Sequence, residues 1–297
     1  MGGGLKVGLT QWHATSDVEA NVAIAVELIG KAAAEGASLV VLPENGLMLG
    51  TNTQMRERLL SESCEEVKAV CLAAAQSNVT VVLGGMKNAT EDGVYNSALV
   101  INRHGGIAGR YDKIHLFDAK IGGRSFEASS VEQSGSSPVL FELDGVSIGL
   151  TICYDVRFPE LYRELAVAGA QVILVPAAFT YQTGSAHWQT LLQARAIENS
   201  CYIIAPATVR SELGTGHDEF ESYGHALAVS PWGEVITDLG MDSPAVQVVE
   251  LDLSRVDTIR SSLPVLAGRK PAVYSSPIRT IVLPAIQERT RRSHDVQ

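Results

Sequence analysis

Short apolar runs alternate with amphipathic stretches from one end of the chain to the other. The runs are about 4–8 residues long, rich in Val, Ile and Leu, and bounded by Gly, Pro, Asn or Asp, which is the pattern of buried strands. They predict strands at Lys6–Leu9, Ser38–Leu42, Thr80–Leu83, Ser97–Ile101, Val139–Leu143, Val146–Ile152, Gln171–Val175, Tyr202–Ala205, His225–Ser230 and Val246–Leu251.

The stretches between these runs favour helices. Asp17 is placed to cap a helix that runs to about Ala34, because an aspartate side chain accepts a hydrogen bond from a free N–H of the first turn. Pro159 suits a first helical turn, where its missing N–H would have no partner. Further helices are predicted over Glu57–Gln76, Pro159–Ala168 and Ala186–Ser200.

This alternation of strands and helices predicts an α/β protein whose sheets are covered by helices. Between Thr80 and Leu150, consecutive strands are joined by turns such as Asp92-Gly93 and Asp144-Gly145. Turns of this kind join antiparallel neighbours, so we expect mixed sheets. No repeat or linker composition divides the chain, which predicts a single domain over residues 1–297.

The composition excludes several classes of protein. The 297 residues carry 23 Lys and Arg against 33 Asp and Glu, a net charge of −10, which argues against nucleic acid and against an anionic membrane surface as partners. The longest apolar stretches, such as Val172–Phe179, are far shorter than the ~20 residues of a membrane-spanning helix. Because the chain has only four cysteines and no apolar leader after Met1, we expect a cytoplasmic protein.

Cys153 is the most informative position for chemistry. It follows the predicted strand Val146–Ile152 and precedes the helix that Pro159 opens, so it lies at the carboxyl edge of a sheet, where α/β proteins place ligands. The N-terminus of the following helix would favour the thiolate. Position alone leaves a second interpretation open, a small buried hydrophobic residue.

The remaining cysteines do not predict a metal site. Cys64 and Cys71 share a face of a predicted helix and have no histidine near them at metal-ligand spacing. Cys201 begins an apolar strand and is most simply part of the core.

A nucleophilic cysteine needs a base, and two charged residues adjoin apolar runs. Glu44 follows the run Ser38–Leu42, where burial would raise its pKa toward the range of a general base. Lys113 lies beside apolar residues and would stabilise the oxyanion of a tetrahedral intermediate. Either residue alone is as readily a solvated loop residue, and none of the seven histidines lies in a catalytic signature. The combination of acid, lysine and thiol carries the prediction.

Three segments resemble the catalytic segments of the nitrilase (carbon–nitrogen hydrolase) superfamily, in the family's order. They are Leu42-Pro43-Glu44, Tyr111-Asp112-Lys113-Ile114-His115-Leu116 and Ile152-Cys153-Tyr154-Asp155-Val156-Arg157-Phe158-Pro159-Glu160-Leu161. The likeness continues to Leu263-Pro264-Val265 and covers about residues 5–275. The Cys-Tyr-Asp-x-Arg-Phe-Pro-Glu form is similar to the amidase branch, which includes the deaminated glutathione amidases and the ω-amidases.

The resemblance implies a four-layer α-β-β-α sandwich with two mixed six-stranded sheets. It implies no metal and no organic cofactor. It also implies a homodimer, in which we expect the C-terminal extension, about residues 276–297, to cross onto the neighbouring subunit.

The resemblance also implies a mechanism. Glu44 takes the proton of Cys153, the thiolate attacks the amide carbonyl, and Lys113 with the backbone N–H of Tyr154 stabilises the oxyanion. Water activated by Glu44 then hydrolyses the thioester. Glu127 lies in a segment that resembles the one carrying a second active-site glutamate, although the segment is one residue shorter here, and it would position the water.

The implied substrate is a small dicarboxylic acid monoamide, such as deaminated glutathione or an ω-amide, which loses ammonia. Its second carboxylate needs a cation. Arg157 is the candidate, with a structural arginine as the equal alternative. Tyr154, Thr183 and His187 are further candidates for the pocket, and Ser211–Ser222 is either a lid or a plain loop.

Other functions remain open at this point. The same thiol would serve a nitrilase, an N-carbamoyl amide hydrolase or an acyl transferase. A non-catalytic interaction module of the same fold is a further alternative, which the presence of Glu44, Lys113 and Cys153 together disfavours.

Overall fold

A computed structural model of the chain describes residues 4–210 and 221–282. Residues 211–220, which belong to the segment considered as a lid or a plain loop, and residues 283–297 of the expected C-terminal extension therefore lie outside the described residues. Within the described ranges, no helix is long and apolar enough to cross a bilayer.

The described residues form strands and helices in alternation for most of the chain. The strands are β1 (Leu5–Trp12), β2 (Leu39–Val41), β3 (Thr80–Thr90), β4 (Gly93–Ile101), β5 (Ile107–Asp112), β6 (Asp118–Ile121), β7 (Arg124–Glu127), β8 (Val139–Leu143), β9 (Val146–Leu150), β10 (Val172–Leu174), β11 (Tyr202–Ala205), β12 (Ala207–Arg210), β13 (Ser222–Tyr223), β14 (Leu227–Val229), β15 (Val235–Asp238) and β16 (Ala245–Leu251). The helices are α1 (Val18–Ala34), α2 (Asn52–Glu57), α3 (Glu65–Ser77), α4 (Pro159–Val167), α5 (Tyr181–Asn199), α6 (Ser254–Ser262) and α7 (Pro271–Tyr274), with 3-10 turns at Ala128–Ser130 and Cys153–Arg157.

The strands form two large mixed sheets and a small hairpin, which confirms the mixed α/β prediction. Over the described residues, the first sheet has the order β13-β12-β1-β2-β3-β4-β5, and β16 also pairs with β1. Strands β1, β2 and β3 run parallel, whereas β3, β4 and β5 run antiparallel, as the turn sequences predict. This sheet contains eight strands rather than the six implied by resemblance, because both β12 and β16 pair with β1.

The second sheet has the order β15-β14-β11-β10-β9-β8 and the six strands that the resemblance implies, counted over the described residues. Its centre, β9, β10 and β11, is parallel, and its outer strands are antiparallel. Strands β6 and β7 form a separate hairpin.

The core has two parts, one on each face of the first sheet. Alternate residues of β2 face different parts, with Leu39 and Val41 in one and Val40 in the other. The part that holds Leu39 also holds Ile173 of the second sheet and apolar residues of α4 and α5, and the other part holds Ile29 of α1. Because both faces of β2 are buried, its sequence is an unbroken apolar run. This arrangement fits the α-β-β-α layers that the resemblance implies.

Two helix predictions had opposite outcomes. Helix α1 begins after Asp17, whose side chain accepts from Ala20 N, as predicted. The predicted helix Glu57–Gln76 is wrong over its first part, because α3 begins only at Glu65. Before it, Leu60 exchanges backbone hydrogen bonds with Lys87 and Ala89 of β3, which hold this stretch in an extended conformation.

Candidate active site

Three strand ends meet at one cavity. Glu44 lies just after β2, Lys113 directly after β5, and Cys153 in the turn after β9. The first two strands belong to the first sheet and β9 belongs to the second. All three side chains line a cavity of about 280 Å³. The two packed sheets therefore bring together an acid, an amine and a thiol that are far apart in the sequence.

Glu44 lies at the centre of the contacts in this cavity and is only 3% exposed. Its Oε1 accepts hydrogen bonds from Lys113 Nζ at 2.7 Å and from Asn96 Nδ2 at 2.9 Å. Its Oε2 accepts from the backbone N–H of Ala178 at 3.0 Å. The carboxylate also interacts with the thiol of Cys153, which lines the same cavity. These contacts fix Glu44 between the ammonium and the sulfur.

The same contacts determine the charge of Glu44. Burial alone raises the pKa of this carboxyl, but the charge of Lys113 and the hydrogen bonds from Lys113, Cys153 and Asn96 outweigh burial, so the pKa lies below its usual value of 4.5. The prediction that burial would raise this pKa is therefore wrong. Glu44 is ionised in the free site and is able to accept a proton.

Cys153 lies in the turn between β9 and α4, as the sequence predicts. Its φ of 48° is in the left-handed region, which is uncommon for a residue with a Cβ, and its N–H donates to Pro176 O at 2.9 Å. Burial and then the charge of Glu44 raise the pKa of its thiol well above 9.0, against the opposite effect of Lys113. The expectation of a helix-stabilised thiolate is therefore wrong, and attack by this sulfur would need a base to take its proton.

Lys113 remains a cation although it is only 3% exposed. Burial alone would lower the pKa of its ammonium, but its interactions with Glu44 and Cys153 outweigh burial and raise the pKa above its usual 10.5. A charged amine beside the sulfur is suited to stabilise negative charge on a carbonyl oxygen.

A buried aspartate links the segment of Lys113 to the turn of Cys153. Asp155 accepts hydrogen bonds from Tyr111 Oη at 2.7 Å, from the backbone N–H of His115 at 3.1 Å and from the backbone N–H of Ile152 at 2.8 Å. Because these donors flank Lys113 on one side and Cys153 on the other, Asp155 fixes the two segments relative to each other. The sequence analysis did not identify this role.

The predicted substrate residues divide into two groups. Tyr154, Arg157 and Thr183 line the cavity. The guanidinium of Arg157 lies over the rings of Phe179 and Tyr154, at 5.3 and 5.8 Å from their centroids. His187 is not part of the cavity wall formed by the described residues. Its Nδ1 instead lies 3.4 Å from both terminal nitrogens of Arg157, so any effect of His187 on a ligand passes through Arg157.

Glu127 also lines the cavity, but its side chain is exposed and accepts a hydrogen bond from Ser125 Oγ at 3.0 Å. A third carboxylate of the cavity, Glu132, is buried and forms an ion pair with Lys87. The sequence analysis missed Glu132, Lys87 and Asn96. The available signal was a polar residue inside an apolar strand, at Lys87 in β3 and at Asn96 in β4.

Comparisons with known proteins agree on one family. The sequence profile described as "Carbon-nitrogen hydrolase" matches residues 6–261. A deaminated glutathione amidase of Synechocystis is 41% identical over 255 residues, which are 84% of this chain and 92% of that protein. One of Dictyostelium discoideum is 37% identical over 276 residues, 89% of this chain and 94% of that protein. The crystal structure of the Caenorhabditis elegans NitFhit protein superposes on this chain with a TM-score of 0.84 at 34% sequence identity. The superposition covers 92% of this chain and 66% of the NitFhit chain.

Proposed function

The chain belongs to the carbon–nitrogen hydrolase family, and from this premise we propose that it is an amidase that hydrolyses a linear amide through a thioester on Cys153. One observation carries the proposal. At one cavity, the carboxylate of Glu44 accepts a hydrogen bond from the ammonium of Lys113 and interacts with the thiol of Cys153. The groups that would serve as base, oxyanion stabiliser and nucleophile thus face one space.

In the first half-reaction, Glu44 takes the proton of Cys153 while the sulfur attacks the carbonyl carbon. The negative charge that develops on the carbonyl oxygen is stabilised by Lys113 Nζ and by the backbone N–H of Tyr154, which donates no hydrogen bond within the described residues. Protonated Glu44 then gives its proton to the amide nitrogen. The C–N bond breaks, and ammonia or an amine leaves a thioester behind.

In the second half-reaction, water replaces the departed nitrogen. Glu44 takes one proton from the water as its oxygen attacks the thioester carbon, and Lys113 again stabilises the oxyanion. The C–S bond breaks, the carboxylic acid leaves, and the sulfur recovers its proton from Glu44. Glu127, on the exposed side of the cavity, is the water-positioning residue that the sequence predicts.

The charge of the cavity favours a substrate with one carboxylate. Four cationic and three anionic side chains line it among the described residues, namely Arg56, Lys87, Lys113 and Arg157 against Glu44, Glu127 and Glu132. One positive charge is left over. Arg157 forms no ion pair within the described residues, so its guanidinium is available for a bidentate contact with a carboxylate.

We therefore propose a dicarboxylic acid monoamide as the substrate class, with deaminated glutathione or another ω-amide as its members. The printed names of the Synechocystis and Dictyostelium relatives support this choice. Arg157 would bind the distal carboxylate, Tyr154 and Thr183 would contact the chain of the substrate, and His187 would orient Arg157.

The test compares amides with and without that carboxylate. Release of ammonia is measured for a series of dicarboxylic acid monoamides, for uncharged amides of the same length, and for nitriles and N-carbamoyl compounds. In the Arg157→Gln variant, kcat/KM is expected to fall about 10–100-fold for the monoamides, which corresponds to the ~1.5–3 kcal/mol of a charged hydrogen bond. It is expected to change little for the uncharged amides.

Equal losses on both amide series would exclude Arg157 as the carboxylate-binding residue. Faster turnover of nitriles or N-carbamoyl compounds than of any amide would favour the alternative enzymes. Failure of every compound to be turned over would favour a non-catalytic module.

We also propose that the chain acts as a homodimer in the cytoplasm. The catalytic role of Cys153 requires a reduced thiol, which a reducing compartment maintains. The described part of the C-terminal extension exposes large apolar side chains, with Ile278 94% and Val282 84% exposed, as expected for a segment that docks on a second subunit.

A further inference from the structure

The cavity holds a second buried ion pair that the half-reactions above do not use. Glu132 is only 5% exposed and is paired with Lys87 Nζ. Both line the same cavity as Cys153. Burial lowers the pKa of Lys87 from 10.5 to about 8, with smaller opposing effects of Glu44 and Lys113, so its amine is mostly charged at pH 7. The pair therefore faces the same cavity as Glu44, Lys113 and Cys153.

The backbone holds both members of the pair in place. Lys87 lies in β3 directly opposite Asn96 of β4, the residue that donates to Glu44. Glu132 follows a 3-10 turn, where its N–H donates to Ala128 O at 2.8 Å, and the next N–H, of Gln133, donates to Val94 O of β4 at 2.8 Å. A pair fixed on the strand that also positions Glu44 has a defined geometry relative to the nucleophile.

The chemistry of the pair indicates what it would bind. A lysine ammonium at hydrogen-bond distance favours the ionised form of a carboxylate. Such a pair adds no net negative charge, so it does not repel an anionic substrate. Oε1 of Glu132 is occupied by Lys87, and the other oxygen has no hydrogen-bond donor within the described residues. An ionised carboxylate only accepts hydrogen bonds. Its partner in the cavity must therefore be a donor.

We propose that Glu132, held by Lys87, positions the water that hydrolyses the thioester, an inference that rests on the proposed function. After the nitrogen has left, the donor available at this place is water. One O–H of the water donates to Glu132, which keeps its charge, and the other O–H faces Glu44. Glu44 takes that second proton while the oxygen attacks the thioester carbon and the C–S bond breaks.

The environment favours Glu132 over Glu127 for this role. Glu127 is exposed and its Oε1 accepts a hydrogen bond from Ser125 Oγ. Bulk water therefore competes with any positioned donor for hydrogen bonds to this carboxylate. Glu132 is buried and paired. A buried acceptor in a fixed place orients a water more strongly than an exposed one, because few competing donors reach it.

The experiment measures the two half-reactions separately in three variants. Glu132→Gln removes the charge of the carboxylate. Lys87→Met combined with Glu132→Leu removes both charges, since replacing a whole buried pair is tolerated far better than breaking it. Glu65→Gln makes the same change in the exposed pair of Glu65 with Lys68 on α3, away from the cavity, and serves as the control. Rapid-quench kinetics with a monoamide and intact-protein mass spectrometry follow the product and the adduct.

In both Glu132 variants, kcat is expected to fall about 100-fold, as for a misplaced reactant. KM is expected to fall together with kcat, so kcat/KM, which reports the first half-reaction, stays near the wild-type value. A burst of ammonia remains, and the acyl adduct accumulates because its hydrolysis is slow. Hydroxylamine attacks a thioester without a positioned water and is expected to restore turnover as the hydroxamate. The control retains wild-type kinetics.

Several results would overturn the inference. Wild-type kinetics of the folded double variant would make the pair structural. Equal losses in kcat and kcat/KM without an adduct would exclude an effect on hydrolysis of the thioester. An adduct that accumulates in Glu127→Gln instead would assign the water to Glu127. A wild-type enzyme that turns over no amide at all would overturn the proposed function first and this inference with it.

Discussion

Burial and contacts act on Glu44 in opposite directions. Burial raises the pKa of its carboxyl, whereas Lys113, Cys153 and Asn96 lower it, and the contacts prevail. The pKa of the Cys153 thiol shifts upward instead, because burial of the thiol and the nearby carboxylate of Glu44 both raise it. The resting site therefore contains a carboxylate and a thiol. In the proposed mechanism, the proton moves from sulfur to oxygen only as the sulfur attacks a carbonyl carbon.

These two shifts predict the pH dependence of kcat/KM for an uncharged amide. The active form has Glu44 ionised, so activity is lost as pH falls through the lowered pKa of Glu44, below 4.5. The basic limb lies above pH 9.0, because the pKa of Cys153 is raised. A pH-rate profile checks this, with circular dichroism to show that the protein stays folded. An acid limb between about pH 6 and 7 would mean that burial controls Glu44 after all.

At the residue scale, the sequence predicted the groups that end or adjoin apolar runs. Glu44, Lys113 and Cys153 each adjoin such a run, and the resemblance reinforced them. Lys87 and Asn96 lie inside β3 and β4, where polar residues are equally consistent with the exposed part of a strand. Their roles depend on cross-strand neighbours and on the loop that carries Glu132, which no local pattern contains.

At the scale of elements, the place of Glu44 depends on a close approach between β3 and the end of β2. A Cβ on Gly84 of β3 would lie 2.2 Å from Leu42 O and 2.7 Å from the carbonyl carbon of Pro43. Both atoms belong to the backbone and cannot move aside without displacing the residue that follows them. Glycine is therefore required at position 84 to bring Glu44 into the cavity.

Gly84→Ala is expected to lower the free energy of unfolding by about 1–3 kcal/mol through overpacking and to lower kcat about 100-fold through displacement of Glu44. Urea denaturation and steady-state kinetics measure the two effects. Gly109→Ala in β5 is the matched control, because a Cβ there meets nothing within 4 Å. Wild-type kcat in Gly84→Ala would show that the end of β2 adapts without moving the carboxylate.

Element boundaries depended on contacts that are distant in the sequence. The bounds of β8 and β11 match the prediction, because both are short apolar runs with turns on either side. The start of α3 does not, since Leu60 is drawn into backbone hydrogen bonds with β3. The sequence of that stretch is compatible with a helix, but its hydrogen bonds to the neighbouring strand β3 hold it extended.

At the scale of the molecule, the packing of two mixed sheets brings the segments of Glu44, Lys113 and Cys153 together at one cavity. The alternation of elements predicted the α/β class, and the turns predicted antiparallel neighbours. The layers and the sheet sizes came from the resemblance, and the first sheet differs because β1 pairs with β2 and then β12 along one side and with β16 along the other. Pairing between distant strands is not encoded in any single run.

The proposed homodimer predicts a mass in solution of twice the 31.6 kDa of the chain. Light scattering at micromolar concentration measures it. A variant that ends at residue 275 is expected to dissociate at higher concentrations than the full chain, because the exposed apolar residues Ile278, Ile281 and Val282 are removed. A monomeric mass for the full chain would contradict the dimer, and unchanged dissociation of the shortened chain would place the interface elsewhere.

The account depends most on covalent catalysis by Cys153. Rapid acid quench of the wild-type enzyme with a monoamide substrate, followed by proteolysis and peptide mass spectrometry, tests this directly. The predicted result is an acyl group on the peptide of Cys153, and loss of both adduct and turnover in Cys153→Ala. An acyl group on Cys64, Cys71 or Cys201, or undiminished turnover by Cys153→Ala, would contradict the account.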